Sequence, residues 1–219
     1  MKEFRCGAIL FDLDGVLVSS TAAVARQWRL WARERNIPPE EVLRIAHGRR
    51  TIEIVQLLAP ELDAEAETRH VEAREAADTD GVEVIRGARE LLASLPQERW
   101  AVVTSGTRLL ALSRLKLGKL PQPQGLVTAD DVREGKPHPG PYLQGAQLLG
   151  IASNECLVIE DAPAGIESAH AAGMQAIGLT TTYPASDLEQ AEALAPDLTA
   201  LRVEFSNDKQ RPLVVKVVV

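Results

Sequence analysis

Asp12 and Asp14 stand one residue apart at the end of the apolar run Ala8-Ile9-Leu10-Phe11, and Gly15 follows at once. The run is long enough for a strand buried on both faces and too short for a helix. Residues i and i+2 of a strand point to the same side, so both carboxylates are expected to enter one crevice at its C-terminal end. One carboxylate there can attack an electrophile and form a covalent intermediate. A second acid two residues away can give a proton to the leaving group and later take one from water. A bare Asp-x-Asp is also ordinary loop material, so the pair gains meaning only from what else converges on it.

Three further groups have the same placement. Thr104-Ser105-Gly106 ends the apolar stretch Ala101-Val102-Val103 and precedes a helical pattern. A hydroxyl beside backbone N–H groups at such a turn suits a phosphate. Lys136 lies in Gly135-Lys136-Pro137-His138-Pro139-Gly140, where alternating prolines stiffen the loop. An ammonium held there would neutralise both a carboxylate nucleophile and an incoming phosphate, which otherwise repel each other. Glu160-Asp161 follows Leu157-Val158-Ile159, and together with Asp12 these hard oxygen donors suit Mg²⁺. His138 has no second histidine or cysteine at ligand spacing and reads as a loop residue.

The elements that must position these groups alternate. Strands are expected at 100–103, 126–128, 157–159 and 176–179, with helices at 88–95, 108–117, 141–149 and 163–172. Repeated βα units imply a doubly wound parallel sheet, whose strand C-termini share one edge. From 17 to 82 the pattern is helical, at 21–37, 40–46, 51–58 and 64–77, and no strand is expected there. That span exceeds an ordinary crossover and implies an all-α insertion. Val24, Trp28 and Trp31 fall on one stripe of its first helix, which assigns the tryptophans to the insertion's own core. The expected division is residues 1–16 with 83–219 as the α/β core and 17–82 as the insertion. Gly15, Gly81 and Gly87 are the expected hinges between them. Strands at 201–205 and 213–219 read as an appended hairpin that closes the molecule's own sheet.

Composition narrows the function classes. The 219 residues suffice for one core with an insertion. A net charge of −7 disfavours nucleic acid and anionic membranes as partners. No signal-like or spanning apolar segment is seen, and a cytoplasmic location is expected. Cys6 and Cys156 sit at the edges of buried strands and read as reduced, structural thiols.

FDLDGVLV, TSGTR, GKPHPGPYL and IEDAPAGIESAHAAG resemble the four motifs of the haloacid dehalogenase-like hydrolase superfamily, in their usual order. With HGRRTI, the set is similar to that superfamily's sugar-phosphate and sugar-alcohol-phosphate phosphatases, including those of 2-deoxyglucose 6-phosphate, hexitol phosphates and glycerol phosphate. The resemblance implies a Rossmann-like core with the helical insertion as its cap. It makes Asp12 the nucleophile, Asp14 the general acid and base, Thr104 the phosphate anchor and Lys136 the bridging cation. Asp12, the Asp14 carbonyl and Asp161 would hold Mg²⁺, with Glu160 close by and counted in the metal set. Ser105 and Gly106 would complete the phosphate site, and His47, Arg49 and Arg50 would face the rest of the substrate. The expected activity is Mg²⁺-dependent hydrolysis of small sugar or polyol phosphates through an aspartyl phosphate, by a monomer or weak homodimer. A phosphomutase of the β-phosphoglucomutase type and a catalytically silent binding module are the alternatives.

Overall fold

The computed structural model describes residues 2–46 and 49–218. The chain opens with β1 (Lys2–Cys6) and β2 (Ala8–Phe11), then a short β3 (Val18–Ser19). Four helices follow: α1 (Thr21–Glu34), α2 (Pro39–Leu43), α3 (Thr51–Leu58) and α4 (Ala64–Ala77). A short β4 (Glu83–Val84) leads into α5 (Ala88–Ser94), β5 (Trp100–Val103), α6 (Arg108–Leu117), β6 (Gly125–Val127) and α7 (Gly140–Leu149). The last part holds β7 (Cys156–Glu160), α8 (Pro163–Ala171), β8 (Gln175–Leu179), β9 (Ala193–Ala195), β10 (Leu201–Phe205) and β11 (Leu213–Val217).

Six strands form one parallel sheet in the order β6-β5-β2-β7-β8-β9. Its centre, β2, is buried along its whole length. Ile9 and Phe11 pack on one side with Trp100, Ile159 and the inner residues of β11. Ala8 and Leu10 pack on the other with Val158, Tyr142 and Ile166. Burial on both faces is why the run carries no polar alternation. The order changes direction at β2, and the crevice beyond the C-terminal ends of β2, β5 and β7 is where such sheets bind ligands.

Helices α1 to α4 enclose a separate apolar cluster that includes Trp28, Trp31, Val42, Ile54 and Val71. The two indoles meet edge to face, with centroids 5.3 Å apart. Helix α4 is started by Asp63, whose side chain accepts from the N–H groups of Glu65 and Ala66.

The strands differ from the reading of the sequence in three places. β3 and β4 pair antiparallel, so the two chain segments that join the helical insertion to the core run as a two-stranded ribbon. Two residues per strand are too few to give a period. β1 pairs with β11, which makes β11 the middle of a three-stranded antiparallel sheet rather than one arm of an isolated hairpin. β9 is a three-residue edge strand beside β8. Among the described residues no helix is long and apolar enough to cross a membrane.

Candidate active site

The parallel register sets Phe11 beside Val102 and Ile159, so the loops after β2, β5 and β7 open side by side. Lys136 enters this edge from the loop after β6, through a cis Lys136–Pro137 peptide. It is only 2% exposed. Its ammonium donates to Asp12 Oδ1, to Glu160 Oε1 at 2.7 Å and to the Val103 carbonyl at 3.0 Å. Burial pulls this ammonium down, but Asp12 and Glu160 outweigh burial and hold it above its usual range. Burial pushes Asp12 up to about 7 against the pull of Lys136, and Glu160 and Asp14 add to the rise. Asp161 is raised well above the carboxylate range by burial and by the charges of Glu160 and Asp12.

Three buried carboxylates therefore stand near one ammonium, which pairs with two of them, Asp12 and Glu160. The excess negative charge at Asp12 and Asp161 fits a divalent cation. Among the described residues no three His, Cys, Asp or Glu side chains are grouped to hold a metal by themselves. The metal set that the sequence suggests, two carboxylates and one backbone carbonyl, is of the kind Mg²⁺ accepts, since it keeps several of its waters. Glu160, counted in the metal set from the sequence, is corrected by its bonding. Oε1 accepts from Lys136 and from the Tyr142 hydroxyl at 2.9 Å, and Oε2 accepts from the N–H groups of Asp161 and Ala162. No lone pair is left to face a metal, so its part is to hold Lys136 and the Asp161 backbone. Two glycines make this packing possible. A Cβ on Gly165 would overlap the Glu160 carboxylate, and one on Gly15, whose φ is 86°, would overlap that of Asp161.

Thr104 is buried; its hydroxyl oxygen accepts from the Gly106 N–H at 3.1 Å, at the turn that leads into α6. Thr104, Ser105 and Gly106 line the same cavity as Asp12, Asp14 and Asp161. Asp14 is gripped on both oxygens. Ser20 donates to Oδ1 at 2.6 Å, and Arg114 of α6 donates to Oδ2. Arg114, 4% exposed, also reaches Glu75 Oε2 of α4 at 3.2 Å.

The residues expected to read the rest of the substrate separate. Arg49 is exposed and lines the cavity. Arg50 turns away, donating to Glu53 at 2.7 Å and to the Val132 carbonyl at 3.2 Å, and it packs on Gly135. His47 lies outside the described residues. The sequence reading missed Arg114 and Glu75 altogether, although a signal for both exists. Arg114 falls on the stripe Leu110, Ala111, Leu115 of α6, and Glu72 and Glu75 fall beside Val71 on that of α4. A charge inside a buried stripe requires a partner.

Known proteins resemble this chain in sequence and in fold. The model of the haloacid dehalogenase-like hydrolases matches residues 9–179, and the chain belongs to that family. It is 42% identical over 204 residues to hexitol phosphatase A of Escherichia coli, covering 91% of this chain and 94% of that protein. It is 38% identical over 201 residues to glycerol-1-phosphate phosphohydrolase 1 of Saccharomyces cerevisiae, covering 86% and 80%. A hydrolase from Pseudomonas syringae superposes with a TM-score of 0.80 at 29% identity, covering 88% and 94%.

Proposed function

We propose that this protein is a Mg²⁺-dependent phosphomonoesterase that hydrolyses small sugar or sugar-alcohol phosphates through an aspartyl phosphate on Asp12. The observation that carries the reading is Lys136, buried between Asp12 and Glu160, two carboxylates on the lining of a cavity shared with Asp14 and Thr104. The similarity to phosphatases of hexitol and glycerol phosphates supports the substrate class.

Asp12, Asp161 and the Asp14 carbonyl are the groups that would hold Mg²⁺, which when bound neutralises charge on the phosphoryl oxygens. Lys136 supplies a fixed positive charge beside Asp12 and keeps that carboxylate oriented. The Asp12 carboxylate attacks phosphorus, a P–O bond to Asp12 forms, and the P–O bond to the leaving alcohol breaks. Thr104 and the backbone of Ser105 and Gly106 cradle the phosphoryl oxygens. Asp14 is the general acid and base: it gives a proton to the leaving oxygen and then takes one from the water that attacks the aspartyl phosphate. In the structure Asp14 is paired with Arg114, so Arg114 has to loosen from it for the acid role, and Glu75 offers the guanidinium its alternative carboxylate. The unit formed by α1 to α4 is the cap that covers the cavity and excludes bulk water. The unpaired, buried thiols of Cys6 and Cys156 support a reducing, cytoplasmic setting.

The test is phosphate release from a panel of sugar and polyol phosphates, with Mg²⁺ and with EDTA, for the wild type and Asp12→Asn. Release that requires both Mg²⁺ and Asp12 is the expected result. Isomerised sugar phosphate without net release would replace this reading with a mutase, and neither product would leave a silent binding module.

A further inference from the structure

Glu75 reaches the phosphoryl chemistry only through Arg114. It reaches the cavity from α4, is 6% exposed, and lines the cap end with Val24, Trp28 and Thr51. Its two oxygens differ. Oε2 accepts from Arg114 at 3.2 Å, whereas Oε1 is buried and has no hydrogen-bond partner. A carboxylate oxygen withdrawn from water and given no donor is costly, and such atoms in folded proteins commonly mark a function. Burial pushes the Glu75 carboxyl up to about 7 in spite of the opposing pull of Arg114, so the ionised group is short of donors.

A phosphate ester of a polyol brings donors of the right kind. With its phosphoryl group at Asp12, the leaving group extends toward the cap, where Val24 and Trp28 offer an apolar wall to its C–H faces and Glu75 offers an acceptor. A leaving group that carries a second phosphate or a carboxylate meets the same oxygen as a like charge in a desolvated place. The charge of Arg114 does not compensate, because Asp14 and Glu75 both claim it. Arg49, the remaining arginine on the lining, is exposed and screened by solvent.

We propose that Glu75 is the specificity-determining residue of this cavity, its Oε1 accepting a hydrogen bond from a hydroxyl of a neutral sugar or polyol leaving group and its charge excluding leaving groups that bear a second anion. The assignment rests on the phosphomonoesterase reading above and sharpens it, since a bisphosphate, the species a mutase must hold, belongs to the excluded class.

The experiment compares kcat/KM for three compounds with Mg²⁺: a hexitol 6-phosphate, 6-phosphogluconate and p-nitrophenyl phosphate. The first two differ at the far carbon, hydroxymethyl in one and carboxylate in the other. The wild type is expected to prefer the hexitol phosphate by at least about tenfold. Glu75→Gln, which keeps an acceptor and removes the charge, is expected to narrow that preference by about fivefold or more, chiefly through KM. Glu75→Ala, which removes the acceptor, is expected to lower kcat/KM for the hexitol phosphate about tenfold more than for p-nitrophenyl phosphate, which has no hydroxyl to offer.

Equal losses on all three compounds in both variants would overturn the proposal, for Glu75 would then only hold Arg114. Equal kcat/KM of the wild type for the hexitol phosphate and 6-phosphogluconate would overturn it too, and that comparison stands even where a variant fails to fold. Absence of phosphate release from all three compounds overturns the phosphomonoesterase reading and this one with it. Release from p-nitrophenyl phosphate without discrimination removes the role of Glu75 alone.

Discussion

Lys136 and Arg114 are two buried cations with different tasks. Lys136 holds together Asp12 and Glu160 of the cavity lining, and Arg114 ties Asp14 to the cap through Glu75. Removing one partner of a buried pair leaves an uncompensated charge, at a cost of about 3–5 kcal/mol. Lys136→Met is accordingly expected to lose both activity and roughly that much stability, read by urea unfolding in EDTA. Asp12→Asn, nearly isosteric, is expected to lower kcat by at least about a thousandfold while the protein remains folded, because the nucleophile itself is gone. Glu75 gives a prediction for stability against pH. Its carboxyl titrates near 4.5 in the unfolded chain and is pushed up to about 7 by burial in the fold. The folded state thus binds the proton more tightly, and this contribution to stability is complete below pH 4.5 and lost as the pH rises through 7. Glu75→Gln is expected to flatten the fall in Tm between those limits, measured by thermal unfolding in EDTA.

At the scale of elements, the ribbon of β3 and β4 is the covalent connection between cap and core, and the loop before α3 makes a second, non-covalent one. Arg50 binds Glu53 on its own helix and the Val132 carbonyl of the core, and Glu53 accepts from the N–H of Gly135, next to Lys136. The cap is thereby fastened to the segment that carries Lys136. Losing one charge-assisted hydrogen bond of this kind is worth about 1.5 kcal/mol, or roughly tenfold in the closed population. Arg50→Ala is therefore expected to lower kcat/KM by about that factor, with kcat and KM changing together, as steady-state kinetics would show. An unchanged kcat/KM would mean that closure does not depend on this contact.

At the scale of the molecule, β11 is an interior element. Leu213, Val215 and Val217 join the same apolar cluster as Phe11 and Trp100, and β1 and β10 flank the strand on both sides. Full burial of such side chains is worth about 1.5–3 kcal/mol each. The sum is comparable to the whole stability of a typical domain, about 5–15 kcal/mol. Truncation after Phe205 is expected to abolish cooperative unfolding and soluble expression, checked by circular dichroism during a thermal scan. Retained cooperative unfolding would show that the antiparallel sheet is dispensable.

The convergence of Asp12, Asp14, Lys136 and Asp161 on one sheet edge was legible in the sequence because each stands in a local pattern. Asp12-x-Asp14 after a doubly buried strand, Lys136 between prolines and Glu160-Asp161 after a second buried strand each declare a strand end, and a parallel sheet collects strand ends on one edge. The helices were legible as well, and α3, α4 and α6 have the bounds expected for them, 51–58, 64–77 and 108–117. What the sequence left open depended on partners distant along the chain. The pairing of β1 with β11 joins the two ends of the molecule and has no local signature. Whether Glu160 faces a metal or Lys136 depends on Tyr142 and two backbone N–H groups. Likewise, Arg114 and Glu75 are ordinary helix charges until α4 and α6 are packed together, because a buried charge is defined by what surrounds it, and only the tertiary structure supplies the surroundings.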